Sequence, residues 1–190
     1  MSRPVLQVIA ASTRPGRKGI AIARWVQQLA EQHGGFEVEL VDLAEVNLPV
    51  FDEPQHPRLQ QYAHQHTKDW SATVKRADAF VFVTPEYNHS FPAALKNALD
   101  YLSVEWADKP VGLVSYGGVS AGVRAATALK PILAALRMIP VVEAVSIPFF
   151  TQFFRDGEFE ASSELEAGAK AMLDELLRLA AAFEPLRAAG

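Results

Sequence analysis

Side chains that could bind a ligand are concentrated in the loop that follows Thr84. Its backbone amides, a carboxylate, an aromatic ring and a side-chain amide come from the consecutive residues Pro85, Glu86, Tyr87 and Asn88. The apolar run 79–83 before the loop is typical of a buried strand, and Leu95, Leu99 and Leu102 after it repeat at helical spacing. Ligands of open α/β sheets bind at the carboxyl ends of strands. The sequence therefore predicts a binding site in this loop.

Two residues predict where the helix after this loop begins. Ser90 is a residue type that caps helix N-termini through its hydroxyl. Pro92 suits a first helical turn, where its missing N–H group would have had no partner. We therefore expect Ser90 to cap the helix and Pro92 to lie in its first turn.

A second polar loop, residues 11–19, separates the apolar run Val5–Ala10 from an amphipathic helical pattern that ends near Gly34. A helix N-terminus in that position presents unpaired N–H groups and the positive end of the helix dipole to an anion. The loop also offers a hydroxyl group, positive charges and a glycine that allows a tight backbone, which further favour anion binding. These residues are Ser12, Arg14, Arg17, Lys18 and Gly19. The loop is predicted to bind a phosphate group.

A third loop of small residues follows the strand-like run 110–115 and contributes Ser115, Tyr116, Gly117 and Gly118. Paired glycines allow a flat ligand to approach closely, or they serve a tight turn that needs a positive φ. The loop by itself does not decide between these interpretations. It is predicted to lie beside residues 85–88 at the same edge of the sheet, which favours the ligand.

Strand and helix patterns alternate along the whole chain. Further strand-like runs lie at 36–41, where apolar and charged residues alternate as in an edge strand, and at 141–147. Helices are expected over 59–77 and in a terminal segment whose inner face runs from Leu165 to Phe183. This βαβαβαβαβα order predicts a single α/β domain over residues 1–190, with helices on both faces of a parallel sheet. A site at the ends of strands one, three and four fits the flavodoxin-like three-layer sandwich with strand order 2-1-3-4-5.

The run Pro-Glu-Tyr-Asn-x-Ser-x-Pro-x-x-Leu-Lys-Asn-x-Leu-Asp, residues 85–100, resembles the signature of the NADPH-dependent FMN reductase family. The similarity extends from Val5 to about Ile147. It implies that NADPH reduces bound FMN at N5 and then leaves. A quinone, free flavin, azo or nitro compound would next take the electrons, in a ping-pong mechanism. No catalytic side chain is assigned, because the cofactor carries the hydride chemistry.

The resemblance also implies a role for each loop. Ser12 and Arg14 would hold the FMN phosphate, with residues 17–19 around it. Residues 85–88 would contact the isoalloxazine ring, largely through their backbone, and residues 115–118 would close its other edge. Family members are usually dimers or tetramers with flavin sites at subunit interfaces, so a homodimer or homotetramer is expected.

This chain departs from the family pattern at Arg17, where many members carry serine or threonine, and at Ala11, where many carry glycine. The phosphate contact of residue 17 is therefore left open. Glu86 is interpreted as a solvated loop glutamate.

Three other functions were compared with this interpretation. A non-enzymatic flavin electron carrier has the same fold and stays open. A dinucleotide-dependent dehydrogenase could use Asp42 for a ribose, but the chain lacks Gly-x-Gly-x-x-Gly. A response-regulator receiver would need acidic residues where Ala11-Ser12 and Thr84-Pro85 stand.

Composition narrows the remaining classes. The 190 residues carry a net charge of −4, which argues against a nucleic-acid partner. The chain has no cysteine and no apolar run that could span a bilayer, and we expect a cytoplasmic protein. His64 and His66 stand two apart, a spacing that places them on different faces of a helix, so no metal site is predicted. The phenylalanine-rich segment 148–154 could form core or cover a neighbouring subunit.

Overall fold

The protein folds around a parallel sheet of five strands in a computed structural model that describes residues 3–188. The strands are β1 Val5–Ala10, β2 Glu37–Asp42, β3 Ala79–Pro85, β4 Pro110–Tyr116 and β5 Ile139–Ile147. The helices are α1 Gly19–His33, α2 Leu43–Val46, α3 Gln65–Arg76, α4 Ala93–Asp100, α5 Val123–Ala135 and α6 Ser163–Ala188. Three short 3-10 helices, Pro57–Leu59, Val104–Trp106 and Phe150–Phe153, and a hairpin of β6 Phe154–Arg155 with β7 Glu158–Phe159 complete the fold.

The sheet has the predicted order β2-β1-β3-β4-β5, and all five strands are parallel. Every residue of β3 and β4 is buried, as expected for central strands covered on both faces. Alternate side chains of each strand face opposite helical layers, so Val81 and Phe82 belong to different cores. The flavodoxin-like α/β prediction is confirmed.

One helical layer consists of α1 and α6, which bury Val26 and Met172 against the sheet. The other consists of α3, α4 and α5, which bury Trp70, Leu95 and Leu129 on the opposite face. Both layers are amphipathic helices whose apolar stripes face the sheet. Within residues 3–188, no helix is both long enough and apolar enough to cross a membrane.

Two predicted helix starts were wrong. Helix α3 begins at Gln65 rather than at residue 59, because the chain before it is held in a 3-10 helix and an extended segment. Helix α4 begins at Ala93, and its N-cap is Pro92, without a side-chain cap from Ser90. Ser90 instead exchanges two backbone hydrogen bonds with Tyr87 across a tight turn.

The rings of His64 and His66 lie closer together than two residues at that spacing on a helix would. His64 is the extended residue before the helix, so its ring stacks on that of His66 with centroids 5.1 Å apart. His66 Nε2 lies 3.0 Å from Asp52 Oδ1, to which the Tyr101 hydroxyl donates at 2.9 Å. These contacts tie the long segment after α2 to α4. Across the described part of the chain, no group of three or more His, Asp or Glu side chains could hold a metal ion.

Lys109 is a buried cation immediately before β4, at the end of the sheet opposite the predicted site. Its ammonium group donates to the carbonyl oxygens of Val74 at 2.8 Å and Lys75 at 3.3 Å, at the C-terminal end of α3. The lysine is 6% exposed, and burial lowers the pKa of its ammonium to about 8. The folded protein should therefore release this proton at a lower pH than the unfolded chain does.

Stability should consequently rise with pH above about 8, because the unfolded chain holds the Lys109 proton up to a pKa near 10.4. We expect the free energy of unfolding to increase by about 1–2 kcal/mol between about pH 7.5 and 9.5. Urea unfolding at the two pH values measures this change. Lys109→Met should remove the increase, and an equal increase in that variant would assign the effect to other groups.

Candidate functional site

The three predicted loops converge on one cavity of about 400 Å³ at the carboxyl edge of the sheet. Nine of its lining residues were predicted as site residues, namely Arg14, Arg17, Lys18, Pro85, Glu86, Tyr87, Tyr116, Gly117 and Gly118. Four more line it without having been predicted, namely Pro15, Gly16, Phe150 and Thr151. The predicted residues Ser12, Gly19, Asn88 and Ser115 do not line the cavity.

The loop after β1 has the features of an anion site. The backbone of Ala11 donates to Val83 at 3.0 Å, which holds the loop next to the end of β3. Helix α1 then begins at Gly19 without a side-chain N-cap, so no side chain occupies its first N–H groups. Ser12 is completely buried, and its hydroxyl has no hydrogen-bond partner among the described residues. An unsatisfied buried hydroxyl at a helix N-terminus fits a phosphate group as the missing partner.

Arg17 and Arg14 differ in their surroundings although both line the cavity. The Arg17 guanidinium pairs with the buried Asp42 carboxylate, which also accepts from the backbone of Ala44 at 3.0 Å and so caps α2. Arg14 is exposed. Asp42 is thus already engaged, which removes the residue on which the dinucleotide interpretation rested. The Arg17 side chain is held toward β2, and Arg14 is the better placed of the two arginines to meet an anion.

Lys18 is directed toward the phenylalanine-rich segment. Its ammonium group lies 4.3 Å from the centre of the Phe154 ring, a distance typical of a cation–π contact. Lys18 is therefore positioned by an aromatic ring at the rim of the cavity.

Glu86 is not the solvated glutamate that we expected, since its side chain is only 8% exposed. The carboxylate accepts from the Arg124 guanidinium at 2.7 Å and from the Arg124 backbone at 3.3 Å. Burial alone would raise the pKa of Glu86, but hydrogen bonds from Ser120 and Arg124 lower it. Glu86 thus links the loop after β3 to the start of α5, and it is a carboxylate rather than a proton donor at neutral pH.

Tyr87 and Asn88 lie at the outer end of the loop after β3. Tyr87 is 37% exposed and lines the cavity mouth. Asn88 is exposed and, like His89, has a positive φ, of 49° and 66° respectively. The pair forms the tight turn between Tyr87 and Ser90. Positive φ at both central residues is typical of a two-residue turn of this kind. The Asn88 side chain is therefore presented at the tip of the loop rather than in the cavity.

The loop after β4 owes its shape to a glycine that we had not singled out. Gly117 and Gly118 have no positive φ, whereas Gly122 has a φ of 79°. A methyl group on Gly122 would lie 2.7 Å from the Tyr116 nitrogen and 2.8 Å from the Ser115 Cβ. The Ser115 hydroxyl donates to the Ala121 carbonyl at 2.9 Å, so it holds this turn instead of facing a ligand.

The chain after β5 forms a wall of the site that sequence reasoning missed. The backbone of Phe149 donates to Gly118 at 3.0 Å, and that of Phe150 donates to Gly117 at 3.2 Å. The Phe150 ring packs against Tyr116 with centroids 5.0 Å apart. The cluster of phenylalanines was visible in the sequence, but its only signal was apolar composition, which suits core, subunit interface and cavity wall equally.

Comparison with known proteins agrees with the family resemblance seen in the sequence. The profile described as "NADPH-dependent FMN reductase" matches residues 5–152. An NAD(P)H-dependent FMN reductase of Schizosaccharomyces pombe is 42% identical over 149 residues, which cover 76% of this chain and 74% of that protein. An NADPH azoreductase of a Bacillus species is 33% identical, with coverage of 91% and 88%.

A structural relative supports the fold. FerB, a flavoenzyme NAD(P)H:(acceptor) oxidoreductase from Paracoccus denitrificans, superposes with a TM-score of 0.75 at 20% identity and covers 95% of this chain and 98% of that one. At that identity the likeness concerns the fold, whereas the profile and the sequence relatives concern the family. The chain therefore belongs to the NADPH-dependent FMN reductase family.

Proposed function

We propose that the protein is an FMN-dependent NAD(P)H oxidoreductase that reduces small organic acceptors. The observation that carries the proposal is the cavity that the loops after β1, β3 and β4 line together. Bound FMN would supply the redox chemistry, namely hydride transfer from NAD(P)H and delivery of the electrons to an acceptor. Residues 1–190 would act as a single flavin-binding domain, since both helical layers pack on one sheet.

The chain itself would bind, orient and shield the cofactor. Arg14 and Ser12 would hold the phosphate together with the N-terminus of α1. The backbone of residues 85–87 and the small residues Gly117 and Gly118 would lie along the flat ring, which a side chain at either glycine would crowd. Phe150 would exclude water from one side of it. Glu86 holds two of these loops together through Arg124, so the site assigns it no proton transfer.

Donor and acceptor should use the same space in turn. The three loops line one cavity, and residues 150–151 close one side of it. Two substrates that must reach the same ring from the same opening cannot bind together. A quinone or an azo compound would therefore enter only after the nicotinamide has left.

This arrangement predicts ping-pong kinetics. With NADPH and a quinone such as menadione, double-reciprocal plots should give parallel lines. NADPH alone should bleach the bound flavin under anaerobic conditions in one two-electron step, and heat should release FMN, about one per chain. Intersecting lines would contradict the shared space. A flavin that NADPH cannot bleach, but that a one-electron donor reduces, would instead indicate an electron carrier.

We also propose that the working protein is a homodimer or homotetramer in the cytoplasm. Exposed apolar side chains are next in the chain to cavity-lining residues: Val119, beside Gly118, is 78% exposed, and Phe149, beside Phe150, is 54% exposed. A second copy packed over these side chains would bury them and shield the neighbouring site from water. Sedimentation of the flavin-loaded protein tests the oligomeric state.

A further inference from the structure

Tyr116 is the last residue of β4 and lines the cavity, although little of it is exposed. It is 4% exposed and packs in the same core as Ile22 and Val26 of α1. Phe150 covers its other side. The ring is therefore fixed between α1 and Phe150, beside the loop that follows β1.

The Tyr116 hydroxyl lies directly beside the first residue of α1. A methyl group on Gly19 would collide with both the Tyr116 hydroxyl and the Ser12 hydroxyl. Two hydroxyl groups from the ends of β4 and β1 thus meet at the N-terminus of one 15-residue helix. The Ser12 hydroxyl is buried and makes no hydrogen bond of good geometry within the part of the chain that the structure describes, but its proximity to the Tyr116 hydroxyl partly offsets the effect of burial on the Tyr116 pKa.

These groups are the types that bind a phosphate. The first turn of α1 offers N–H groups and the positive end of its dipole, and both hydroxyls can donate to phosphate oxygens. Gly19 has no side chain, and the two hydroxyls fill the space that a Cβ would take, so both lie against the backbone of the first turn of α1. A phosphate in this position would satisfy the Ser12 hydroxyl and lie within reach of Tyr116.

We propose that the Tyr116 hydroxyl is a ligand of the FMN phosphate and, with Ser12, forms the floor of the phosphate site. The inference rests on the proposed FMN-binding function and adds a residue from β4 to a site otherwise built from the loop after β1. The hydroxyl of Tyr116 would thus contact the phosphate, while its ring supports Phe150 in the cavity wall.

The hydroxyl remains a proton donor under all ordinary conditions. Burial raises the pKa of Tyr116 to about 12, so the group is neutral at the pH values at which flavoproteins are handled. A neutral phenol can donate to a phosphate dianion without the repulsion that a phenolate would cause.

The test compares FMN with riboflavin, which lacks the phosphate. Flavin-free wild-type and Tyr116→Phe proteins are titrated with each compound, and binding is followed by the change in flavin fluorescence. Because a hydrogen bond to a charged group is lost, the dissociation constant for FMN should rise about 10- to 100-fold in the variant. The constant for riboflavin should not change, and inorganic phosphate should compete with FMN less well in the variant.

Tyr101→Phe is the matched control. It removes the same hydroxyl from a buried tyrosine that donates to Asp52 and to the Pro49 carbonyl, and it should leave the ratio of the two affinities unchanged. An equal loss of FMN and riboflavin binding in Tyr116→Phe would show that the residue only supports the cavity wall, and no loss would show that the hydroxyl does not reach the phosphate. Failure of the wild-type protein to bind either flavin would instead overturn the proposed function.

Discussion

Replacing Gly122 by alanine is expected to abolish flavin binding. The residue has a φ of 79°, and an alanine there costs about 1–3 kcal/mol from backbone strain alone. Its methyl group would also lie 2.7 Å from the Tyr116 nitrogen and 2.9 Å from the Tyr116 carbonyl oxygen. These neighbours are backbone atoms at the end of β4, which cannot turn away as a side chain could. The loop from Tyr116 to Gly118 would have to move out of the cavity wall.

The measurement is the flavin content of the purified Gly122→Ala protein, together with its urea unfolding curve. Gly118→Ala serves as the control for stability, because Gly118 has no positive φ and no atom within 4 Å of the added methyl group. We expect Gly118→Ala to unfold like the parent protein. Full flavin content in Gly122→Ala would mean that the shape of this loop does not control binding.

Arg14→Ala should weaken FMN binding, whereas Arg17→Ala should lower folding stability, although both substitutions remove a guanidinium from the same loop. Arg14 is exposed at the cavity, and its loss should remove a charge-assisted bond to phosphate worth about 1.5–3 kcal/mol. The FMN dissociation constant should therefore rise about 10- to 100-fold, with no change for riboflavin. Arg17→Ala should instead leave the Asp42 carboxylate without its cation, at 6% side-chain exposure.

The expected loss in Arg17→Ala is about 1–3 kcal/mol of folding stability, since a buried carboxylate that loses its partner keeps its desolvation cost. Asp42→Asn should restore part of that stability in the double variant. Flavin titrations measure the change in FMN affinity, and urea unfolding measures the change in stability. Both are carried out on the parent protein, the two single arginine variants and the double variant. A larger loss of FMN affinity in Arg17→Ala than in Arg14→Ala would assign the phosphate to Arg17 and contradict the geometry.

The sheet could be predicted from sequence because its signals are local. Continuous apolar runs such as 79–83 identify central strands, and the alternation in 36–41 identified an edge strand, now seen as β2. The loops after three strands could be assigned to one site because parallel strands place their carboxyl ends at one edge. The places of Arg14 and residues 85–87 in the lining of the cavity follow from that rule.

The rest depends on contacts between distant segments, which no local pattern records. The pairing of Arg17 with Asp42 and of Glu86 with Arg124 joins residues 25 and 38 positions apart. Each of these charged residues could equally have been exposed to solvent, and the sequence around it does not indicate which residue it pairs with. His64 and His66, beside Asp52, are a further example. The predicted helix included both residues, whereas α3 begins after His64, and the extended backbone of His64 lets the two rings stack.

The hydrogen bonds from Phe149 and Phe150 to Gly118 and Gly117 make two remote stretches of chain into one cooperative unit. The loop after β4 cannot open without breaking bonds to the segment after β5, so both should exchange their amide hydrogens through the same opening event. A ligand that rests on one of them would slow exchange in the other. The entry and exit of the cofactor would then be set by the local unfolding of this unit, and the affinity of the site would be adjusted by residues such as Phe154, which packs on Phe150 but does not line the cavity.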